Sequence, residues 1–368
     1  MKQLPMNLNT IEMCAGAGGQ ALGLHNAGFV HEVLIEIDEF ACKTLHHNNN
    51  KLGFGWKEIV EGDLKVFAEQ RAAEFHGKIA LVAGGVPCPP FSKAGKQLGA
   101  KDERDLFPTA LEIVRKVQPQ AVLLENVAGL MEPQFADYRK LIQGQLLEMG
   151  YASDWKLLNA SDYGVPQLRP RFILVALKEP LFEYFNWPEP SQVPTPTVGE
   201  TLFDLMAGRG WSGADAWREK ACFIAPTLVG GSKKHGGPDL GPARAKAAWY
   251  KLGINGHRLA ADDEYPHAEF QGALLRDGRV REGFENMPLL NVRMAARIQG
   301  FPDYWDFAGS KTHAYRQVGN AFPPPVAEAV GLRIAHAIRE HERHKAGLAA
   351  AAQQAALQET PELRCAAG

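Results

Sequence analysis

The stretch Asn9-Thr10-Ile11-Glu12-Met13-Cys14-Ala15-Gly16-Ala17-Gly18-Gly19-Gln20-Ala21-Leu22-Gly23 decides how the chain folds. Asn9 to Met13 read as a short strand and the glycines as a turn. Ala21, Leu22, Leu24 and Ala27 then mark a helix that stops near Gly28. Such a turn lets backbone N–H groups approach a ligand at a helix N-terminus. Gly16-x-Gly18-x-x-Ala21 also satisfies a dinucleotide fingerprint, although incidental turns meet a single match of that kind as well.

The following segments give the turn company. A second strand, Glu32 to Ile37, carries Glu36, an acid placed to accept hydrogen bonds from ribose hydroxyls. A third, Glu58 to Val60, leads to Gly62-Asp63-Leu64, where Asp63 can hold an adenine amino group. Either acid alone reads equally well as a solvated strand end. Together they describe an adenosine-type pocket, which both NAD and S-adenosylmethionine fit. A buried strand over Ile79 to Ala83 is then broken by Gly84-Gly85 and three prolines around Cys88. That thiol stands at the carboxyl end of a strand, where α/β sheets gather reactive groups; a lone Pro-Cys-Pro is otherwise a stiff turn.

Composition sets the outer limits. The 368 residues suit one large domain and one smaller one, and 45% hydrophobic with 22% charged residues is ordinary for a globular chain. No apolar run reaches the length of a membrane span and Met1 to Asn7 lack a signal-peptide core, so a cytoplasmic location without membrane contact is expected. The five cysteines include no Cys-x-x-Cys pair, which argues against a disulfide framework or zinc site; no metal is expected. With a net charge of −2, contact with nucleic acid must come from local basic patches.

Residues 92 to 105 are polar and glycine-bearing, expected as a mobile loop, before a helix over Leu106 to Lys116. The strand Ala121 to Leu124 ends in Glu125-Asn126-Val127 and sets a carboxylate on the same sheet edge as Cys88. After a helix over Tyr138 to Met149, Arg169 and Arg171 alternate into an apolar strand and are expected on one face. From about Lys178 to 288 periodicity weakens, predicting irregular structure with short strands. Within it, residues 231 to 260 carry six Lys or Arg against one acid, interleaved with glycines and aromatics, which suits phosphate backbones; a solvated basic face is the alternative. A helix ending at Gly300 follows, and a last helix is expected over Val326 to about His344. The Ala/Gln-rich tail, 346–368, is expected to be disordered.

Taken in order, the motifs resemble those of bacterial DNA cytosine-5 methyltransferases of restriction–modification type. They are Glu12 to Gly19, Glu36-Ile37-Asp38, Gly62-Asp63-Leu64, Gly85 to Ser92 around Cys88, Glu125-Asn126-Val127, Gln167-x-Arg169-x-Arg171, Arg293 to Pro302 and Gln317-Val318-Gly319-Asn320. Two departures stand out: Cys14 occupies a place where the family commonly has an aromatic, and Pro89 replaces a glutamine often found after the cysteine.

The resemblance implies a Rossmann-like α/β methyltransferase sheet in residues 1–177, completed by 303–345, with a smaller, irregular target recognition domain over 178–302. It implies S-adenosylmethionine as cofactor, S-adenosylhomocysteine as product, and double-stranded DNA as partner. Cys88 would be the nucleophile, with Glu125, Arg169 and Arg171 as the other catalytic residues. Cys14, Gly16, Ala17, Gly19, Glu36, Ile37, Asp63, Leu64, Pro87, Leu106 and Asn320 would line the cofactor pocket. Ser92, Lys96, Gln97, Arg104, Thr227, Lys233, Lys234, Arg244 and Lys246 would meet DNA. The enzyme would act as a monomer and share its site with a cognate endonuclease. An NAD-dependent oxidoreductase fits the turn and Glu36 but gives Cys88, Glu125 and the arginines no role. An RNA cytosine-5 methyltransferase and a non-catalytic DNA-binding repressor are further alternatives.

Overall fold

The computed structural model describes residues 8–87, 105–230 and 239–358. Among them seven strands form one sheet: β1 (Asn9–Met13), β2 (Val30–Glu36), β3 (Glu58–Glu61), β4 (Leu81–Gly84), β5 (Ala121–Val127), β6 (Tyr151–Asn159) and β7 (Pro170–Lys178). Their order is β3-β2-β1-β4-β5-β7-β6. The first five strands run parallel, and β7 pairs antiparallel with both β5 and β6. Strand order reverses between β1 and β4, and the crevice at such a reversal is where open α/β sheets bind ligands. Met13 lies opposite Gly84 there, and a Cβ on Gly84 would stand 2.7 Å from the Met13 carbonyl, so glycine is what lets the strands close.

Alternating apolar residues explain the layers. Leu81, Ala83, Leu123, Ile173 and Val175 face helices α1 (Gly19–Asn26) and α11 (Pro324–Gln358). Val82, Val122, Leu124 and Leu174 face α3 (Leu64–Gln70), α4 (Phe107–Val117) and α5 (Ala136–Glu148). The expected α/β sheet is therefore present, with helices on both faces. No helix among the described residues is long and apolar enough to cross a membrane.

The structure departs from the sequence reading in three places. The strand β6 is not expected from the sequence: at the sheet edge Asp154 and Lys156 are exposed and the residue between them only partly buried, so no apolar run marks it. Between 178 and 288 the described residues form three helices, α6 (Val198–Ala207), α7 (Ala214–Lys220) and α8 (Ala243–Lys251), and no strand beyond isolated bridges. Residues 346–358 of the tail continue α11, whose alanines and glutamines favour helix even though its side chains are exposed from Arg343 to Gln354.

The rest of the chain consists of α2 (Glu39–Leu52), α9 (Val292–Ile298) and α10 (Lys311–Asn320). Trp211, Trp217, Trp249 and Leu259 of the irregular region share one apolar cluster with Leu34, Leu45 and Trp56 of the sheet side, and with Ile298 and Val318 of α9 and α10. That packing brings the far end of the chain back to the β1 turn.

Candidate active site

The turn after β1 is shaped for close approach. Cys14, Gly16 and Gly18 all have positive φ, at 50°, 55° and 82°. A Cβ on Gly18 would lie 2.8 Å from Leu45 and 2.9 Å from Trp305. Trp305 donates from Nε1 to the Ala17 carbonyl at 3.1 Å, pinning the turn from 288 residues away. The Glu36 carboxylate accepts from the Gly16 amide at 2.7 Å and from the Ile37 and Asp38 amides at 2.8 Å each. Asp38 in turn caps α2 by accepting from the Phe40 and Ala41 amides.

This turn opens on a cavity of about 240 Å³. Seven of the residues expected near the cofactor or substrate line it: Cys14, Gly16, Ala17, Gly19, Glu36, Glu125 and Asn320. Ile37, Asp63, Leu64, Pro87 and Leu106 do not. Ile37 is exposed, Leu64 is buried in the core, and Asp63 caps α3 through the Lys65 amide at 2.8 Å. Leu106 donates its amide to the Pro87 carbonyl at 3.3 Å. Burial pushes the Cys14 thiol up to about 12, with the nearby charges of Glu36 and Asp63 adding to it, so Cys14 stays a neutral packing group. Sequence reasoning missed Gln20, Asp38, Gly85 and Arg316, which also line the cavity. Arg316 stands four residues before Asn320 on α10, a helix the sequence reading does not predict.

At the other wall, Glu125 Oε1 meets Arg171 Nε at 2.5 Å, with both side chains largely buried. β5 carries Glu125 beside Gly85, where a Cβ would come within 3.1 Å of Glu125 Oε2. The buried Asn126 donates to the Val86 carbonyl at 3.0 Å and so fixes the segment that leads to Cys88. Cys88 itself lies outside the described residues, as do Ser92, Lys96, Gln97, Arg104, Lys233 and Lys234. So does nearly all of the loop expected to be mobile. Its last residue, Asp105, is buried and caps α4 through the Phe107 amide at 3.0 Å.

The two arginines have different partners. Arg169 precedes β7 and is 1% exposed. It donates to the carbonyls of Leu228 at 2.9 Å, Gly319 at 2.7 Å and Ala321 at 3.1 Å. Burial lowers its pKa from the usual guanidinium range, and the like charge of Arg171 adds to this. Beside it, Gln167 accepts from the Leu228 amide at 2.8 Å and donates to Gln299 at 2.6 Å. The Arg169 guanidinium is therefore committed to backbone carbonyls. Among the expected DNA contacts, Thr227 bonds the Leu168 carbonyl, Lys246 pairs with Asp239 at 2.6 Å, and Arg244 is exposed on α8.

The fold is that of known methyltransferases. It matches the Entamoeba histolytica methyltransferase EhMeth with a TM-score of 0.59 at 16% identity, over 89% of this chain and 98% of that one. A mutant of Spodoptera frugiperda DNMT2 gives a TM-score of 0.57 at 16% identity, over 89% and 98%. Residues 8–336 match the C-5 cytosine-specific DNA methylase family, and the chain belongs to it. The enzyme is a DNA cytosine-5 methyltransferase. Its relatives include the type II methyltransferase M.NaeI of Lentzea aerocolonigenes, 51% identical over 90% of this chain and 76% of that protein. M.NgoMIV of Neisseria gonorrhoeae, also a type II methyltransferase, is 49% identical over 91% and 99%.

Proposed function

We propose that the enzyme flips a cytosine out of a specific site in duplex DNA and methylates C5 through a covalent Cys88 adduct. The observation that carries this is the Glu125–Arg171 pair, set beside Gly85 where the chain leaves β4 toward Cys88 and at the edge of the cavity. A base inside the stack cannot reach such a crevice, so it must leave the duplex. S-adenosylmethionine, when bound, supplies the electrophilic methyl group, and Glu36 with the glycine turn forms the wall that suits its ribose.

The chain's own residues make C5 nucleophilic. The Cys88 thiolate forms a bond to C6 while Glu125 gives a proton to N3, turning the ring into an enamine. Arg171 holds Glu125 in place. Once C5 has taken the methyl group, its proton leaves to a base or water. The C6–S bond then breaks as N3 returns its proton to Glu125. Thr227, Arg244 and the basic span around it would contact DNA. Relatives named as type II methyltransferases support a protective role opposite a cognate endonuclease; the enzyme would act as a monomer on cytoplasmic DNA.

The test is expression of the chain and of Cys88→Ser in a host without cytosine methylases, followed by bisulfite sequencing. Protected cytosines confined to one short motif, and absent with Cys88→Ser, are expected. No protection by a folded, cofactor-binding wild type would overturn the reading.

A further inference from the structure

Charge in the cavity is unevenly spoken for. Its lining includes three acids, and each is engaged: Glu36 by three backbone amides, Asp38 as the cap of α2, and Glu125 by Arg171. One lysine or arginine, Arg316, lies among the described lining residues, and its guanidinium has no ion-pair or hydrogen-bond partner among the described residues. Gln20 is in a similar state. It is 4% exposed, lines the same cavity, and its Nε2 donor has no partner. It also stands in the first turn of α1 (Gly19–Asn26), whose N-cap Gly18 brings no side-chain hydrogen bond and which holds no acid of its own, the buried Glu12 carboxylate facing the Ala21 amide. An uncapped helix start favours an anion. Three sources of positive potential thus converge on a space whose negative groups are already used.

We propose that Arg316 and Gln20 form a clasp for the α-carboxylate of the cofactor's amino-acid moiety. This rests on S-adenosylmethionine being the cofactor. A carboxylate accepts hydrogen bonds on both oxygens, so a guanidinium and an amide N–H can be satisfied by one group, and charge assistance strengthens the contact. With its nucleoside against Glu36 and its methyl toward Glu125, the ligand would leave its amino-acid end to the wall made by α1 and α10. Cys14 offers no aromatic face for adenine, so the clasp carries a correspondingly larger share of cofactor affinity.

Calorimetric titration of wild type, Arg316→Gln, Arg316→Lys and Gln20→Leu with two ligands tests this. S-adenosylhomocysteine carries the carboxylate; 5′-methylthioadenosine lacks it. Arg316→Gln should weaken S-adenosylhomocysteine roughly 10- to 100-fold and leave methylthioadenosine within about twofold. Gln20→Leu should act in the same direction to a smaller extent, and Arg316→Lys should recover part of the loss. Equal weakening of both ligands, or unchanged S-adenosylhomocysteine affinity, overturns the clasp. Unchanged cofactor affinity with a DNA salt dependence shallower by about one would instead make Arg316 a phosphate contact. Failure of wild type to bind S-adenosylhomocysteine at all would sink the cofactor reading beneath it.

Discussion

The sheet and the region between 185 and 291 solve the same packing problem with different residues. In the sheet, neighbours on one strand split cleanly between two cores, as Leu123 does from Val122 and Leu124. The second region has helices of only seven to ten residues and no strand among its described residues. Large anchors such as Trp211, Trp217 and Trp249 hold it together instead. Its attachment to the sheet is also polar: Arg169, Gln167 and Gln299, all buried, bond to backbone at Leu228, Gly319 and Ala321. Where periodic faces exist, strand-end polar groups are left for chemistry; where they do not, buried polar groups become structure.

The difference between Arg169 and Arg171 tests this most severely. Arg169→Ala strips the donor from the buried Leu228 and Gly319 carbonyls, each costing about 1–3 kcal/mol when orphaned, while the Ala321 carbonyl keeps Gln299. Urea denaturation should therefore show a loss of roughly 2–6 kcal/mol. Arg171→Ala should lose activity by more than about 100-fold with less than half that loss of stability. Equal destabilisation by the two would dissolve the division.

On the sheet side, His31 and Glu12 form a buried pair at 2.9 Å beneath the β1 turn. Burial raises the Glu12 carboxyl, and His31 opposes that rise. His31→Leu removes the partner and should cost about 3 kcal/mol near neutral pH. A raised folded-state pKa means the native state binds more protons than the unfolded one, so stability falls as pH rises through it. The deficit of His31→Leu should accordingly be larger at pH 8 than at pH 5.5; a deficit that does not change with pH would mean Glu12 is not what His31 compensates.

In the second region, Arg244 and Lys251 make no ion pair among the described residues. Replacing either with Ala should shift stability by no more than about 0.5 kcal/mol. Each should flatten the salt dependence of DNA binding by about one phosphate, and an unchanged slope would remove α8 from the DNA surface.

The smallest contrast is between thiols. Cys14 and Cys42 are both pushed up to about 12, chiefly by burial, whereas Cys222 is exposed. Iodoacetamide at pH 7.5 should label Cys222 and spare the other two, since their thiolate fractions lie about a thousandfold below that of an ordinary thiol. Peptide mapping that finds Cys14 labelled first would show the turn to be open.

The sequence by itself determined the parallel strands, the glycine turn and the acids Glu36 and Glu125, because each rests on a local pattern: short periodicity, a breaker, then a polar residue at a strand end. The edge strand β6 escaped, since half-exposed strands lose that pattern. Only the tertiary structure gave Arg169 and Arg171 different partners, because Arg169 finds its acceptors 59 and 150 residues away. It also decided that Arg316 reaches the cavity while Asp63 and Ile37 stay outside its walls. Spacing along a chain encodes which face a residue takes on its own element; what stands opposite that face is fixed by packing between elements far apart in sequence.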